Sequence, residues 1–172
     1  MSNPVAVAGA QLRPARIEDS EAVLAIVNPI ITDTAITFSS TPRTLESVRN
    51  DIAARGRAFI VAERAGRIAG YATFAPFRGG TGYARTMETT IALAPGARGD
   101  GLGRALMAAL SQEAVATDVQ SFIAAVSAEN DPALRFHASL GFQEVGRIPQ
   151  AGWKFSRWID LVLMQKMLGT SA

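Results

Sequence analysis

Apolar positions along the chain recur at two spacings, broken by short polar stretches marked by glycine or proline. Ala10–Pro14 alternates and reads as a first strand. Over Glu18–Asn28 the apolar residues Ala22, Val23, Ile26 and Val27 share one helical face. Thr32–Thr41 is rich in threonine and serine and reads as a loop ending at Pro42. A second helix is expected from Thr44 to Gly56, with Leu45, Val48 and Ile52 as its stripe. Ala58–Glu63 and Arg67–Phe74 flank the Ala65-Gly66 turn as a hairpin. Arg78–Gly82 holds three glycines and is a loop. Thr86–Leu93 is the next strand, Pro95–Gly103 a glycine-rich turn, and Leu102–Ala116 a helix burying Leu102, Leu106, Ala109 and Leu110. Phe122–Val126 is a short apolar strand, and Pro132–Leu140 a helix stopped by Gly141. Phe142–Arg147 and Trp158–Met164 are the last strands. The order βααβββαβαββ predicts an α+β arrangement around one twisted, mixed sheet.

Composition narrows the chemistry. With 172 residues, 48% hydrophobic and 19% charged, the chain has enough apolar material for a core. It shows no linker or repeat, so a single domain over 1–172 is expected, with 1–9 and 169–172 as flexible ends. The absence of cysteine excludes disulfides, thiolate metal sites and cysteine nucleophiles. One histidine, His137, excludes a histidine-rich zinc site, and no metal is expected. No apolar run reaches the ~18 residues of a membrane span. The first ten residues carry no lysine or arginine ahead of their apolar stretch, so a cytoplasmic protein off the membrane is expected. The net charge is +2, and 15 of the 17 basic residues are arginine. They form no dense cluster, so no nucleic-acid partner is expected.

The stretch Arg98-Gly99-Asp100-Gly101-Leu102-Gly103-Arg104 joins an expected strand to an expected helix. A helix start leaves its first N–H groups unpaired and carries a partial positive charge. Glycines let backbone approach a ligand closely. Such an element suits a phosphate or diphosphate, and Arg98 and Arg104 add full charges at its ends. The Walker pattern fails, because Gly101 is followed by Leu102 and Gly103. The dinucleotide pattern G-x-G-x-x-G fails too, since its last position falls on Arg104 or Leu106. The spacing that fits is R-x-x-G-x-G from Arg98 to Gly103.

That spacing resembles the diphosphate loop of the GNAT acetyltransferases. So does the stretch from Asn130 to Phe142, which has an asparagine opening a helix and a Leu-Gly-Phe ending, with His137 where many members carry tyrosine. Phe38 with Thr41-Pro42, Tyr83 ahead of Thr86–Thr90, and the tail Gln150–Trp158 with Asp160 resemble one branch, the phosphinothricin acetyltransferase-like proteins. The resemblance runs from Leu12 to Leu168. It implies a GNAT fold, with a mostly antiparallel sheet of about seven strands, splayed in the middle, and about four helices on its faces. It implies acetyl-CoA as co-substrate, a small amino-acid-like amine as acceptor, and a homodimer.

The resemblance also assigns residues. Glu88 would be the base toward the amine. The backbone of Ile91, Ala92 and Leu93 would bind the pantetheine arm, and Arg98, Gly99, Asp100, Gly101, Leu102, Gly103 and Arg104 the diphosphate. Asn130, with Ala133 and Ser139, would contact the cofactor, and His137 would serve the leaving thiolate. Phe38, Phe77, Thr81, Gly82, Tyr83 and Arg85 would shape the acceptor site. Each has a plainer reading as well. Asn130 is suited to capping its helix, His137 to ordinary packing, Glu88 to pairing with an arginine, and the aromatics to core or interface. Some relatives place an arginine directly after the tyrosine to hold a carboxylate. Here that place is Ala84, and Arg85 comes one residue later, on the other face of a strand. Two other functions remain open: acetylation of a protein N-terminus or lysine, and a non-catalytic acyl-CoA sensor.

Overall fold

The computed structural model describes residues 6, 7 and 9–169. The elements in chain order are β1 (Ala6–Val7), β2 (Ala10–Pro14), α1 (Ser20–Asp33), α2 (Leu45–Arg55), β3 (Phe59–Arg64) and β4 (Arg67–Pro76). There follow β5 (Thr86–Leu93), α3 (Leu102–Ala116), β6 (Ser121–Ser127), α4 (Asp131–Ser139), β7 (Gln143–Lys154) and β8 (Arg157–Met167). The fold is α+β and the pairing is mixed. β5 and β6 run parallel, while β1–β2, β2–β3, β3–β4, β6–β8 and β7–β8 are antiparallel. The chain clusters into two compact units. One takes the residues up to Val27, Arg43–Ala75 and Thr90–Thr117. The other takes Asn28–Pro42, Pro76–Thr89 and the chain from Asp118 onward.

In the first unit β2, β3 and β4 pair in sequence. The β3–β4 turn places Ala65 at φ 49° and Gly66 at φ 73°. Two successive positive φ values give the turn that matches strand twist in a tight hairpin. Gly70 on β4 lets β5 come close: a Cβ there would lie 2.9 Å from Ala92 O. Ala94 N–H continues the contact, donating to Ala69 O at 2.9 Å. Helix α2 starts where Thr44 accepts from Ser47 N–H and stops at Gly56, φ 51°. Its Val48 and Ile52 are buried, as are Val61, Ala72, Leu102, Leu106 and Leu110.

The second unit centres on β6. It pairs with β5 only at Thr86, Met87 and Glu88, but with β8 along its full length, from Ser121↔Met167 to Ser127↔Leu161. Its Phe122, Ile123, Ala124 and Val126 are buried. β7 and β8 form a long hairpin whose turn, Phe155-Ser156, again has both φ values positive (50° and 59°).

Apart from the additional short strand β1, which makes eight strands where about seven were expected, the element order agrees with the sequence, but several bounds differ. α1 continues through Pro29 to Asp33, beyond the expected end at Asn28. Proline loses one helical bond without reversing the chain, and neighbouring turns carry it. β7 and β8 reach Lys154 and Met167. Pro149 and Gly152 disguise that strand in the sequence, and its register shifts between Ile148 and Gly152. Of the expected flexible end 1–9, Ala6 and Val7 pair with Gln11 and Ala10. Residues 1–5, 8 and 170–172 lie outside the described residues. Among the described residues no helix is long and apolar enough to cross a membrane.

One ion-pair network ties the start of α1 to the β2–β3 ladder. Arg13 Nη1 and Nη2 donate to the two Asp19 oxygens at 2.7 and 2.9 Å, and its Nε donates to Glu63 at 2.9 Å. Asp19 also accepts from Arg16 N–H at 2.7 Å. The Arg13 and Asp19 side chains are only 14% and 10% exposed. Arg13 holds the Asp19 carboxyl below its ordinary range. Its stabilising effect is therefore full above the unfolded-state value near 4 and is lost as pH falls through the lowered native value. Asp19→Ala leaves a largely buried guanidinium half-paired and should cost about 2 kcal/mol, read as a lowered denaturant midpoint at neutral pH. The deficit should shrink as the titration is repeated toward pH 3.

Candidate active site

The first unit carries the mouth of α3. Gly99 and Gly101 sit at φ 88° and 87°, in left-handed backbone that other residues adopt only with strain. Nothing lies within 4 Å of where their Cβ atoms would be, so both face open space. The first helical bond runs from Ala105 N–H to Gly101 O at 3.0 Å. The N–H groups of Leu102, Gly103 and Arg104 therefore precede the ladder, at the positive end of the helix dipole. The Leu102 N–H donates to Asp100 Oδ1 at 3.2 Å. Arg98 is exposed at the lip. Backbone donors, left-handed glycines and a surface cation together suit a diphosphate. Just upstream, Ala92 is buried while Ile91 and Leu93 are half-buried.

Glu88 lies in the second unit's share of β5, three residues before Ile91. Its carboxyl is half-buried, and burial pushes its pKa above the ordinary glutamate value. No ion pair or hydrogen bond to its side chain is present among the described residues, so desolvation acts alone. This is the condition of a proton acceptor rather than of a paired surface acid.

Helix α4 gathers Asn130, Ala133, His137 and Ser139. Asn130 is the N-cap: its Oδ1 accepts from Ala133 N–H at 3.2 Å. Capping uses the carbonyl half of the amide, and the NH2 half is still a donor. His137 is 5% exposed, with its ring edge-on to Phe136 and Phe142 at 5.2 and 5.1 Å. Its Nδ1 lies 2.9 Å from Ala133 O. A carbonyl only accepts, so Nδ1 carries the hydrogen and Nε2 is an acceptor. Burial lowers its pKa, which favours this neutral form. Ser139 Oγ donates to Phe136 O at 2.7 Å.

The expected acceptor residues fall in two groups within the second unit. Phe38 lies against Gly152, where any Cβ would overlap its ring. Beside it Lys154 is buried at 3% exposure, and its Nζ donates to Ile31 O at 2.5 Å and Thr37 O at 2.8 Å. Lys154 thus grips the last turn of α1 and the loop after it. Burial lowers its pKa. Thr81, Gly82 and Tyr83 form one exposed 3-10 turn. The Arg78 guanidinium stacks over the Tyr83 ring at 5.5 Å. Phe77 N–H donates to Thr86 O at 3.2 Å, joining this loop to the start of β5. Arg85 is engaged in an exposed ion pair with Asp118 at 2.6 Å. Sequence reasoning passed over Arg78, Gly152 and Lys154. Gly152 and Lys154 do fall in the tail, Gln150–Trp158, that carries the resemblance, and Arg78 opens the glycine loop, but none of the three was given a role in the site. Among the described residues no three histidine, aspartate or glutamate side chains converge for a metal.

The chain as a whole is similar to known proteins. A methionine sulfoximine/methionine sulfone acetyltransferase of Pseudomonas paraeruginosa is 33% identical over 91% of this chain and 93% of its own. A phosphinothricin N-acetyltransferase of Streptomyces coelicolor is 35% identical over 92% of this chain and 96% of its own. Among solved structures, a GNAT-superfamily phosphinothricin acetyltransferase of Sinorhizobium meliloti in complex with acetyl-CoA aligns with a TM-score of 0.87 and 29% identity. The alignment covers 94% of this chain and 89% of that one. The model of the acetyltransferase (GNAT) family matches residues 28–142. A match of that extent, joined to full-length likeness at these identities, means that this chain belongs to the GNAT acetyltransferase family and is an N-acetyltransferase.

Proposed function

We propose that the chain transfers acetyl from acetyl-CoA to the α-amine of a small amino-acid-like acceptor of the phosphinothricin or methionine sulfoximine and sulfone type. The observation that carries this is β5. One strand holds at Glu88 a desolvated carboxylate that is unpaired among the described residues, and leads through Ile91–Leu93 to the left-handed glycines at the mouth of α3. The names of the similar proteins supply the acceptor class.

Acetyl-CoA supplies a thioester whose C–S bond breaks as the new C–N bond forms. In this reading the N–H groups at the start of α3, with Arg98 and Arg104, hold the diphosphate. The backbone of Ile91, Ala92 and Leu93 binds the arm as an added strand would, and an N–H near Ile91 donates to the acetyl oxygen. The amide NH2 of Asn130 contacts the same arm. Ala133 and Ser139 line it. Glu88 takes the proton that the amine loses. His137 is assigned to packing: its neutral Nε2 accepts, and protonation would cost burial of a charge between two phenyl rings. Phe38, Phe77, Thr81, Gly82 and Tyr83 shape the acceptor pocket. Arg78, rather than the engaged Arg85, is the cation for an acceptor carboxylate. The chain acts as a homodimer through the β7–β8 hairpin. Trp153 and Trp158 pack edge-to-face there at 4.9 Å, yet each is more than half exposed, beside exposed Phe155. Three aromatics on one hairpin suit a second copy.

A thiol-release screen with acetyl-CoA against phosphinothricin, methionine sulfoximine, methionine sulfone, ordinary amino acids and a peptide with a free N-terminus tests the acceptor class. Turnover on the peptide alone, or on none of them, overturns it. Because Glu88 must be ionised to act, and burial raises its pKa, wild-type rate should climb with pH through one ionisation above the ordinary carboxylate range. Glu88→Gln should lose about 10²- to 10⁴-fold in kcat and that limb of the profile, while CoA affinity stays level. Lys154→Met should raise the acceptor KM by about tenfold, equivalent to one charge-assisted hydrogen bond, with the KM for acetyl-CoA unchanged. Equal rises in both would show a general loss of fold. Sedimentation of Trp153→Ala/Trp158→Ala should give monomers where the wild type gives dimers.

A further inference from the structure

The anion loop contains an anion of its own. Asp100 stands between the two left-handed glycines, and its carboxylate occupies the helix mouth: Oδ1 takes the Leu102 N–H at 3.2 Å, while Oδ2 is held by Arg64 Nη2 at 2.6 Å. Arg64 and the Leu102 N–H keep this carboxyl below its ordinary range, so it is charged at neutral pH. Arg64 closes β3, 36 residues away, and belongs to no motif. Its Nε is buried and has no hydrogen-bond partner among the described residues. Arg64 therefore holds Asp100 through a single nitrogen. Both side chains are about one-third exposed, so the pair is within reach of solvent and of ions.

A carboxylate at this place has two effects on an incoming diphosphate. It repels it, since like charges near one helix end share the same favourable potential. It also holds the first free N–H, which the ligand would otherwise receive. Arg64 counters both effects by neutralising the charge and by drawing Oδ2 toward the end of β3. We propose that Arg64 and Asp100 set the affinity of the α3 mouth for the diphosphate of CoA, with Asp100 as a resident competitor and Arg64 as the cation that restrains it. This rests on the proposed assignment of the mouth to CoA. It adds to that assignment two residues whose charges act in opposite directions.

Calorimetric titration of CoA into the full chain tests it. Asp100→Asn keeps the acceptor that caps Leu102 and removes only the charge. It should tighten CoA about three- to tenfold, the range of one charge at a helix end. Arg64→Met should loosen CoA by a similar factor, and Arg64→Lys should recover most of that loss. The gain in Asp100→Asn should shrink as salt rises. It should vanish for the inhibition constant of pantetheine, which has no phosphate. Unchanged or weaker CoA binding by a folded Asp100→Asn variant overturns the proposal, as does an equal gain for pantetheine. If Arg64→Met fails to fold, Asp100→Asn and the pantetheine control decide alone. Failure of the wild type to bind CoA at all would instead remove the proposed function.

Discussion

The left-handed backbone at Gly99 and Gly101 is the constraint on which the α3 mouth depends. Two residues with φ near +88° shape the turn just ahead of α3, whose first N–H groups precede its hydrogen-bond ladder. Neither glycine is needed for space, because the Cβ positions are open. Each is needed for its dihedral, and a side chain there would strain the turn or flatten it. The buried apolar face of α3, including Leu102, Leu106 and Leu110, fixes the helix axis, and so fixes where the donors point. The packing of α3 and the exposure of the glycine turn ahead of it are two consequences of one local geometry.

β5 is the second organising element. Its first residues pair with β6 for three positions only. Its last residues are held against β4, where Gly70 removes the Cβ that would otherwise meet Ala92 O and Leu93. The last of the β6-paired positions, Glu88, carries an acid with no ion pair or side-chain hydrogen bond among the described residues. Burial raises the pKa of Glu88 because no cation compensates, whereas Asp19 and Asp100 are lowered because arginines do. Three acids on a chain of near-neutral net charge are thus shifted in opposite directions by their surroundings alone.

The elements most open to sequence reading were those fixed by local rules. β5 and α3 begin and end where periodicity and punctuation place them. α2 is bounded by a threonine cap and a glycine stop, and the hairpin at Ala65-Gly66 follows from turn chemistry. The left-handed glycine turn ahead of α3 was legible for the same reason, since its glycine spacing is itself the determinant. The second half of β7 was not. Pro149 and Gly152 signal a loop in isolation, but Pro149 is tolerated along the edge of the β7–β8 pair and Gly152 is there to seat Phe38.

The sequence by itself determined the order of elements, the helix mouth and its cations, and the presence of one acid on the strand before it. Those depend on dihedral preference and spacing, which travel with the residues. Only the tertiary structure decided which charges meet. Arg85 turned to Asp118, Arg64 reached Asp100, Lys154 closed on two carbonyls of α1 and its loop, and His137 was enclosed by phenyl rings as a neutral hydrogen-bond acceptor. Charge interactions and desolvation are set by distance and burial, and residues 36 or 123 positions apart carry no local sign of either.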